Sequence, residues 1–334
     1  MKIPELMTRS AGMVGIAAGV VLLLVVVTGL FWSAEPDPFD IRENLDGKLE
    51  AASRDYVVGA AMTTTLIRAA ETLLDKPGGY LSNDLMPPGV YLDNIPNWEF
   101  GVLVQVRDLT RAMREKFSRS QSQSTEDPDL IIAEPNFHFN SDSWLFPPSE
   151  TEYREAIDRL YNYLNRVADP ANVNAQFYAR ADNLSGWLLD VQSRLGSLSQ
   201  RLSVSVGARR ANTDTAGEPA ARQSTPTTGD VQVRTPRFQV DDVFYEARGA
   251  TWALMHFLRA VEVDFADVLQ DKNATASLRQ IIRDLEASQR MVFFPIILNG
   301  SGFGVFANHS LTMASYISRA NAAIIDLRAL LAQG

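Results

Sequence analysis

Apolar positions recur along this chain in three patterns, and each predicts a different element. The first is continuous. Ala11 to Trp32 (AGMVGIAAGVVLLLVVVTGLFW) holds twenty-two residues without a charge, between Arg9 and Glu35. As a helix it reaches roughly 33 Å at about 1.5 Å per residue, enough to cross a bilayer core of about 30 Å. A helix is the form it takes there, because lipid offers backbone N–H and C=O groups no partner.

The second pattern steps by three and four, the spacing of one helix face. Leu45, Leu49, Ala52, Tyr56, Gly59, Thr63, Ile67, Ala70 and Leu74 predict a helix over Ile41–Asp75, ended by Lys76-Pro77-Gly78-Gly79. Val102, Val106, Leu109, Met113 and Phe117 predict one over Pro96–Ser118. Ser149-x-x-Glu152 reads as a capping box opening a helix that ends at Asp169-Pro170. Further stripes predict helices over Thr275–Arg290 and Ser310–Leu331.

The third pattern steps 4-3-4-3. Phe177, Ala181, Leu184, Leu188, Val191, Leu195, Leu198 and Leu202 make a heptad seam on a helix over Asn174–Arg209. Phe244, Thr251, Leu258 and Phe265 interleave with Ala247, Leu254, Val261 and Val268 on a second, over Asp241–Gln270. Met313, Ile317, Ala320, Ile324, Leu327 and Leu331 repeat the spacing in the last helix. Alternation of the kind strands need is absent, apart from a short extended piece at Val231-Gln232-Val233. The predicted fold is all-α: a single N-terminal transmembrane helix, then an elongated multi-helix bundle with coiled-coil-like packing.

Polar segments divide the chain. Residues 1–34 form a tail and anchor, and Glu35-Pro36-Asp37-Pro38 leaves it as a stiff spacer. Residues 35–210 form a helical region interrupted at 118–148 by a Ser/Gln tract and an aromatic loop. The rings of that loop (Phe137, Phe139, Trp144, Phe146) are expected to staple onto the bundle, with their presentation to a partner as the alternative. Residues 211–240, rich in Thr, Ala, Gly and Pro, read as a linker, and 241–334 as a helical region packing on the first.

Charge sets orientation. Lys2, Arg9 and the terminal amine precede the apolar run, against Arg42 and Lys48 just after it, so the positive-inside rule places the N-terminus in the cytoplasm. The rest then faces the periplasm of an inner membrane, a setting that zero cysteines suit. Past Ala34 there are 39 acidic against 29 basic residues, a poor match for nucleic acid.

The runs TLIRAAETLLDKPGGYLSND, MPPGVYLDNIPNWEFGVLVQVRDLTRAMR, FSRSQSQSTEDPDL and LNGSGFGVFANHSLTMASYISRANAAIIDLRALL resemble the bacterial domain-of-unknown-function family 2333. Its members are membrane-anchored proteins of Gram-negative bacteria. The resemblance covers nearly the whole chain and implies the anchor and the cell type, but no activity.

Chemistry is sparse in the sequence. His138, His256 and His309 have no ligand at helical metal spacing, so no metal or cofactor is expected. Gly-x-Ser-x-Gly and His-Glu-x-x-His are absent, and no catalytic residue is assigned. Glu262, Asp264 and Asp267 read as a solvated or salt-bridged face. One stretch stands out, MVFFPIILNGSGFGVFAN, where Gly300, Gly302 and Gly304 alternate before His309 and the last helix. It reads first as a hairpin capped by Asn308 or Ser310, with Phe294 and its neighbours buried. An anion nest, or docking to a partner or the membrane through the flanking Phe293, Phe294, Ile296, Ile297, Phe303 and Phe306, is the alternative. The expected function is non-catalytic: binding an envelope protein partner or a second copy, with the bilayer held through residues 11–32. An envelope hydrolase acting on peptidoglycan and a periplasmic ligand-binding module are the competing readings.

Overall fold

The apolar run forms one helix, α1 (Ile3–Trp32), whose segment Met13–Trp32 has a mean hydropathy of 2.7 and is almost wholly unburied by protein. A computed structural model describes residues 3–120, 124–169, 171, 174–210, 231–292, 296–301 and 305–333. Among these, α2 (Ile41–Ala51), α3 (Ala60–Asp75), α4 (Asn94–Ala112), α5 (Leu130–Phe137), α6 (Ser149–Val167) and α7 (Ala181–Ser203) follow the anchor. Then come α8 (Val240–Asp264), α9 (Ala266–Asp271), α10 (Thr275–Ser288) and α11 (His309–Ala332). The protein is all-α, and the only strands described are the three-residue pair Ala208–Arg210 and Val231–Val233.

The stripes land where a core needs them. Leu184, Leu188, Val191, Leu195, Leu198 and Leu202 are buried, as are Met313, Ile317, Ala320, Ile324, Leu327 and Leu331. These two seams meet each other, since α7 packs chiefly on α11, while α8 packs along α4. The heptad faces are therefore spent inside the bundle. At the α4–α8 crossing the backbones touch: a Cβ on Gly249 would sit 1.9 Å from Trp98 O, and one on Gly101 2.0 Å from Glu246 O.

Four expectations need correction. The stripe over 41–75 does not make one helix. It breaks at residues 52–59, where Ser53 (φ 52°) and Gly59 (φ 96°) take left-handed backbone. Gly59 is required for a second reason, because a Cβ there would lie 2.3 Å from the Phe177 ring. The predicted 118–148 loop contains a helix, α5, which buries Phe137 completely. Phe139 packs against the core, whereas Trp144 and Phe146 stand exposed, so the rings divide between the two readings. Ser149 makes no capping box; its hydroxyl donates to Asn140 O at 2.7 Å and closes the preceding loop. The heptad helix is shorter than its seam, starting at Ala181 after an extended stretch. Of the linker 211–240, residues 211–230 lie outside the described residues.

Helix directions decide which loops lie together. Helices α4 and α8 run parallel, from Asn97 against Asp242 to Phe117 against Phe265. Helix α7 runs antiparallel to both, with Arg201 on Glu246 and Lys116 on Asp190. Helix α3 ends, and α6 begins, at the end where α4 and α8 start, as Arg154 on Asp75 and Glu99 on Lys76 record. Helix α10 also ends there, and α11 begins there. The described parts of the connections 76–93, 138–148, 204–239 and 289–308 thus share one end of the bundle, and it is the end that receives α1.

Candidate functional site

The junction between anchor and bundle is the most elaborated polar and aromatic constellation. Gly29, in the last turns of α1, is buried: a Cβ there would lie 3.4 Å from Pro88 Cβ and 3.7 Å from Leu92 Cδ2. The Trp32 indole lies over Gly78, whose own Cβ would come within 2.8 Å of it. Beyond, residues 34–39 carry no regular secondary structure, but they are not a free spacer. Glu35 accepts Nε and Nη2 of Arg248 at 2.7 and 2.6 Å, and Arg248 Nη1 donates to the carbonyls of Ser288 and Arg290 at 3.1 and 2.9 Å. One guanidinium thereby ties the strap to α8 and to the end of α10. Four residues on, Phe39 N–H donates to His256 Nε2 at 3.0 Å. Asp40 then caps α2, accepting from Arg42 N and Glu43 N at 2.8 and 2.9 Å.

The other buried titratable groups hold elements together in the same way. Glu99 and Lys76 form a fully buried pair at 2.5 Å, and Glu99 also accepts from Leu81 N and Ser82 N at 2.9 Å each. Burial pushes the Glu99 carboxyl up, against the opposing pull of Lys76. Asp264 departs from the solvated or salt-bridged face expected of Glu262, Asp264 and Asp267, whereas Glu262 keeps to it by pairing with Arg279 at 2.5 Å. Asp264 is 5 % exposed and accepts from Met62 N at 2.7 Å and Tyr56 OH at 3.1 Å, capping α3 from another helix. Burial raises its pKa to about 6. Burial likewise lowers His256 to about 4. Sequence reasoning missed Glu35, Arg248, Glu99 and Asp264, because each partner lies far along the chain and no local spacing announces it.

The described residues of the glycine-rich stretch pair antiparallel at Asn299 and Asn308, over the start of α11. Gly300 N donates to Ala307 O at 3.0 Å and His309 N to Leu298 O at 2.9 Å, while Asn308 Oδ1 caps α11 through Leu311 N at 2.8 Å. Gly300 is needed for the close return of the chain, since a Cβ would meet Phe306 O at 2.2 Å. The N–H groups of Gly300, His309 and Leu311 are thereby engaged within the chain. His309 accepts Leu298 N at Nδ1 (3.2 Å), and burial lowers its pKa. Gly302, Gly304 and Phe294 lie outside the described residues. The expected burial of the apolar run fails at Ile296, which is 71 % exposed, and holds at Ile297.

Among the described residues, no three His, Cys, Asp or Glu side chains gather as a metal site would require. Two cavities exist. One of ≈ 330 Å³ lies beside Arg248, His309 and Tyr316, and its guanidinium is already engaged by Glu35. The other, of ≈ 680 Å³, opens between Asp40, Arg259, Glu262 and Arg279, whose arginines pair with Glu286 (2.7 Å) and Glu262 (2.5 Å).

The model of the family described as "Uncharacterized protein conserved in bacteria (DUF2333)" matches residues 6–334. No curated protein and no solved structure matches the chain.

Proposed function

The chain belongs to the bacterial domain-of-unknown-function family 2333, and we propose that this member is a single-pass inner-membrane protein whose periplasmic helical domain works as a non-catalytic scaffold. The observation that carries this reading is the Glu35–Arg248 weld. A flexible tether would suffice to keep an enzyme near a membrane. Here a buried bidentate ion pair, two carbonyls and the Phe39–His256 contact fix the domain to its anchor instead. Rigid attachment presents chosen faces at a set height and angle, which serves a protein that holds an envelope partner or a second copy in place. The deeply buried ionisable groups support the same reading, for Glu99, Asp264 and Arg248 are each saturated by structural partners.

Two measurements in intact cells test it. A reporter active only outside the cytoplasm, fused at Gly334, is active if the domain is periplasmic; activity of a cytoplasm-only reporter contradicts that. Photo-crosslinking from exposed helical positions such as Leu189 and Ile325 should trap a defined envelope protein or a second copy. A uniform absence of adducts at every exposed position contradicts the scaffold role.

A further inference from the structure

One end of the bundle carries its most exposed apolar side chains. Met86 is 75 % exposed, Tyr91 74 %, Phe146 89 %, Phe238 92 %, Val305 99 % and Phe306 73 %. They come from four separate connections, α3–α4, α5–α6, α7–α8 and α10–α11, which helix direction brings to the end that receives α1. At the opposite end the described connections expose only Tyr56 (48 %) and Val58 (45 %) among large apolar side chains. Six such groups in water on one surface would be an aggregation hazard.

We infer that this end is a membrane-seated foot, its loops inserted in the interfacial zone of the bilayer around the emerging α1. The inference rests on the reading that α1 spans the membrane. Continuity with the span identifies the occupant. Gly29 lies within the apolar segment Met13–Trp32 and packs on Pro88 and Leu92. It is three residues before the helix end, roughly 4–5 Å along the axis. The α3–α4 connection, with Met86 and Tyr91, therefore lies beside the last turn of the span, at the depth of the headgroup–acyl boundary. The α5–α6 connection is bound to it: Asn83 Nδ2 donates to Ser143 O at 2.7 Å and Tyr80 OH to Ser141 O at 2.9 Å. On that connection Phe146 takes a left-handed backbone (φ 49°), a costly conformation for an aromatic residue, which turns its ring outward. Aromatic rings are the side chains that settle at this boundary.

Charge points to apolar insertion as the force. Asp84, Asp93, Glu150, Asp241 and Asp242 flank the foot against the exposed Arg234 and Arg237, so acids outnumber bases there and anionic headgroups gain little from it. The foot should therefore seat equally well in zwitterionic lipid, and salt should not release it.

The chain has no cysteine, so single labels can be placed freely. The full chain is reconstituted in phosphatidylcholine nanodiscs with an environment-sensitive fluorophore at Met86→Cys, Phe146→Cys or Phe306→Cys. Leu22→Cys in the span and Asp55→Cys at the far end are the references, and circular dichroism checks each fold. A lipid-borne nitroxide should quench the three foot labels strongly, at low and high salt alike, and leave Asp55→Cys bright. Foot labels as bright as Asp55→Cys, with Leu22→Cys quenched, would overturn the foot and leave the span standing. An unquenched Leu22→Cys would remove the span and the foot together.

Discussion

Phe39 donates its backbone N–H to Nε2 of His256 at 3.0 Å, and its ring lies face to face with the imidazole, the centroids 4.0 Å apart. The contact links the strap that follows α1 to the middle of α8, 217 residues away in sequence. It requires a neutral imidazole whose proton sits on Nδ1, donating to Trp252 O at 2.7 Å.

That requirement sets a pH dependence. Burial lowers His256 from 6.5 to about 4, so its folded form resists protonation. The stability it contributes is present above pH 6.5 and is lost as pH falls towards 4. The destabilisation caused by His256→Gln, measured by urea unfolding of the full chain in mild detergent, should therefore grow as pH rises from 4 to 6.5 and then level off.

Asp264 should show the opposite slope. Its pKa is raised from 3.8 to about 6, so its contribution is complete below 3.8 and is lost as pH rises through 6. On the order of 3 kcal/mol is at stake. The cost of Asp264→Asn should shrink over that interval, and a cost that grows with pH would mean that Asp264 is held as a carboxylate.

The repeating patterns made most helices legible, because burial of a stripe is a local property of spacing. Leu184 to Leu202 and Met313 to Leu331 are buried as their spacing required. The break after Ala51 was not legible, because Tyr56 and Gly59 happen to continue the stripe across a turn that left-handed backbone at Ser53 and Gly59 creates. Nor was the junction legible. Glu35 meets Arg248 across 213 residues, and an acid beside a proline looks like any spacer. The exposed rings at Phe146 and Phe306 stood in the sequence only as the alternative to burial, since hydrophobicity marks a residue for burial and does not say in which solvent.

Glycine substitutions should separate packing from propensity. Gly249→Ala and Gly101→Ala force apart backbones in contact at the α4–α8 crossing and should cost roughly 1–3 kcal/mol or more. Gly196 meets nothing nearer than Asn321 at 3.7 Å, so Gly196→Ala should stabilise α7 by up to about 1 kcal/mol. Thermal melts of the three variants check the order.

The buried Lys76–Glu99 pair should behave as a unit. Lys76→Met leaves a carboxylate stranded at 0 % side-chain exposure and should cost about 3–5 kcal/mol. Adding Glu99→Gln should recover part of that loss, giving a double-mutant coupling above about 1 kcal/mol. Additive losses would show that the two charges do not depend on each other.

The rigid junction is tested most directly by the distance between anchor and bundle. Spin labels at Leu30→Cys on α1 and Leu189→Cys on α7, both exposed, report it by pulsed electron resonance in the full chain in nanodiscs. The Glu35–Arg248 weld predicts one narrow distance distribution that broadens when Arg248→Ala is added. A broad distribution already present in the unaltered junction, and unchanged by Arg248→Ala, would contradict it.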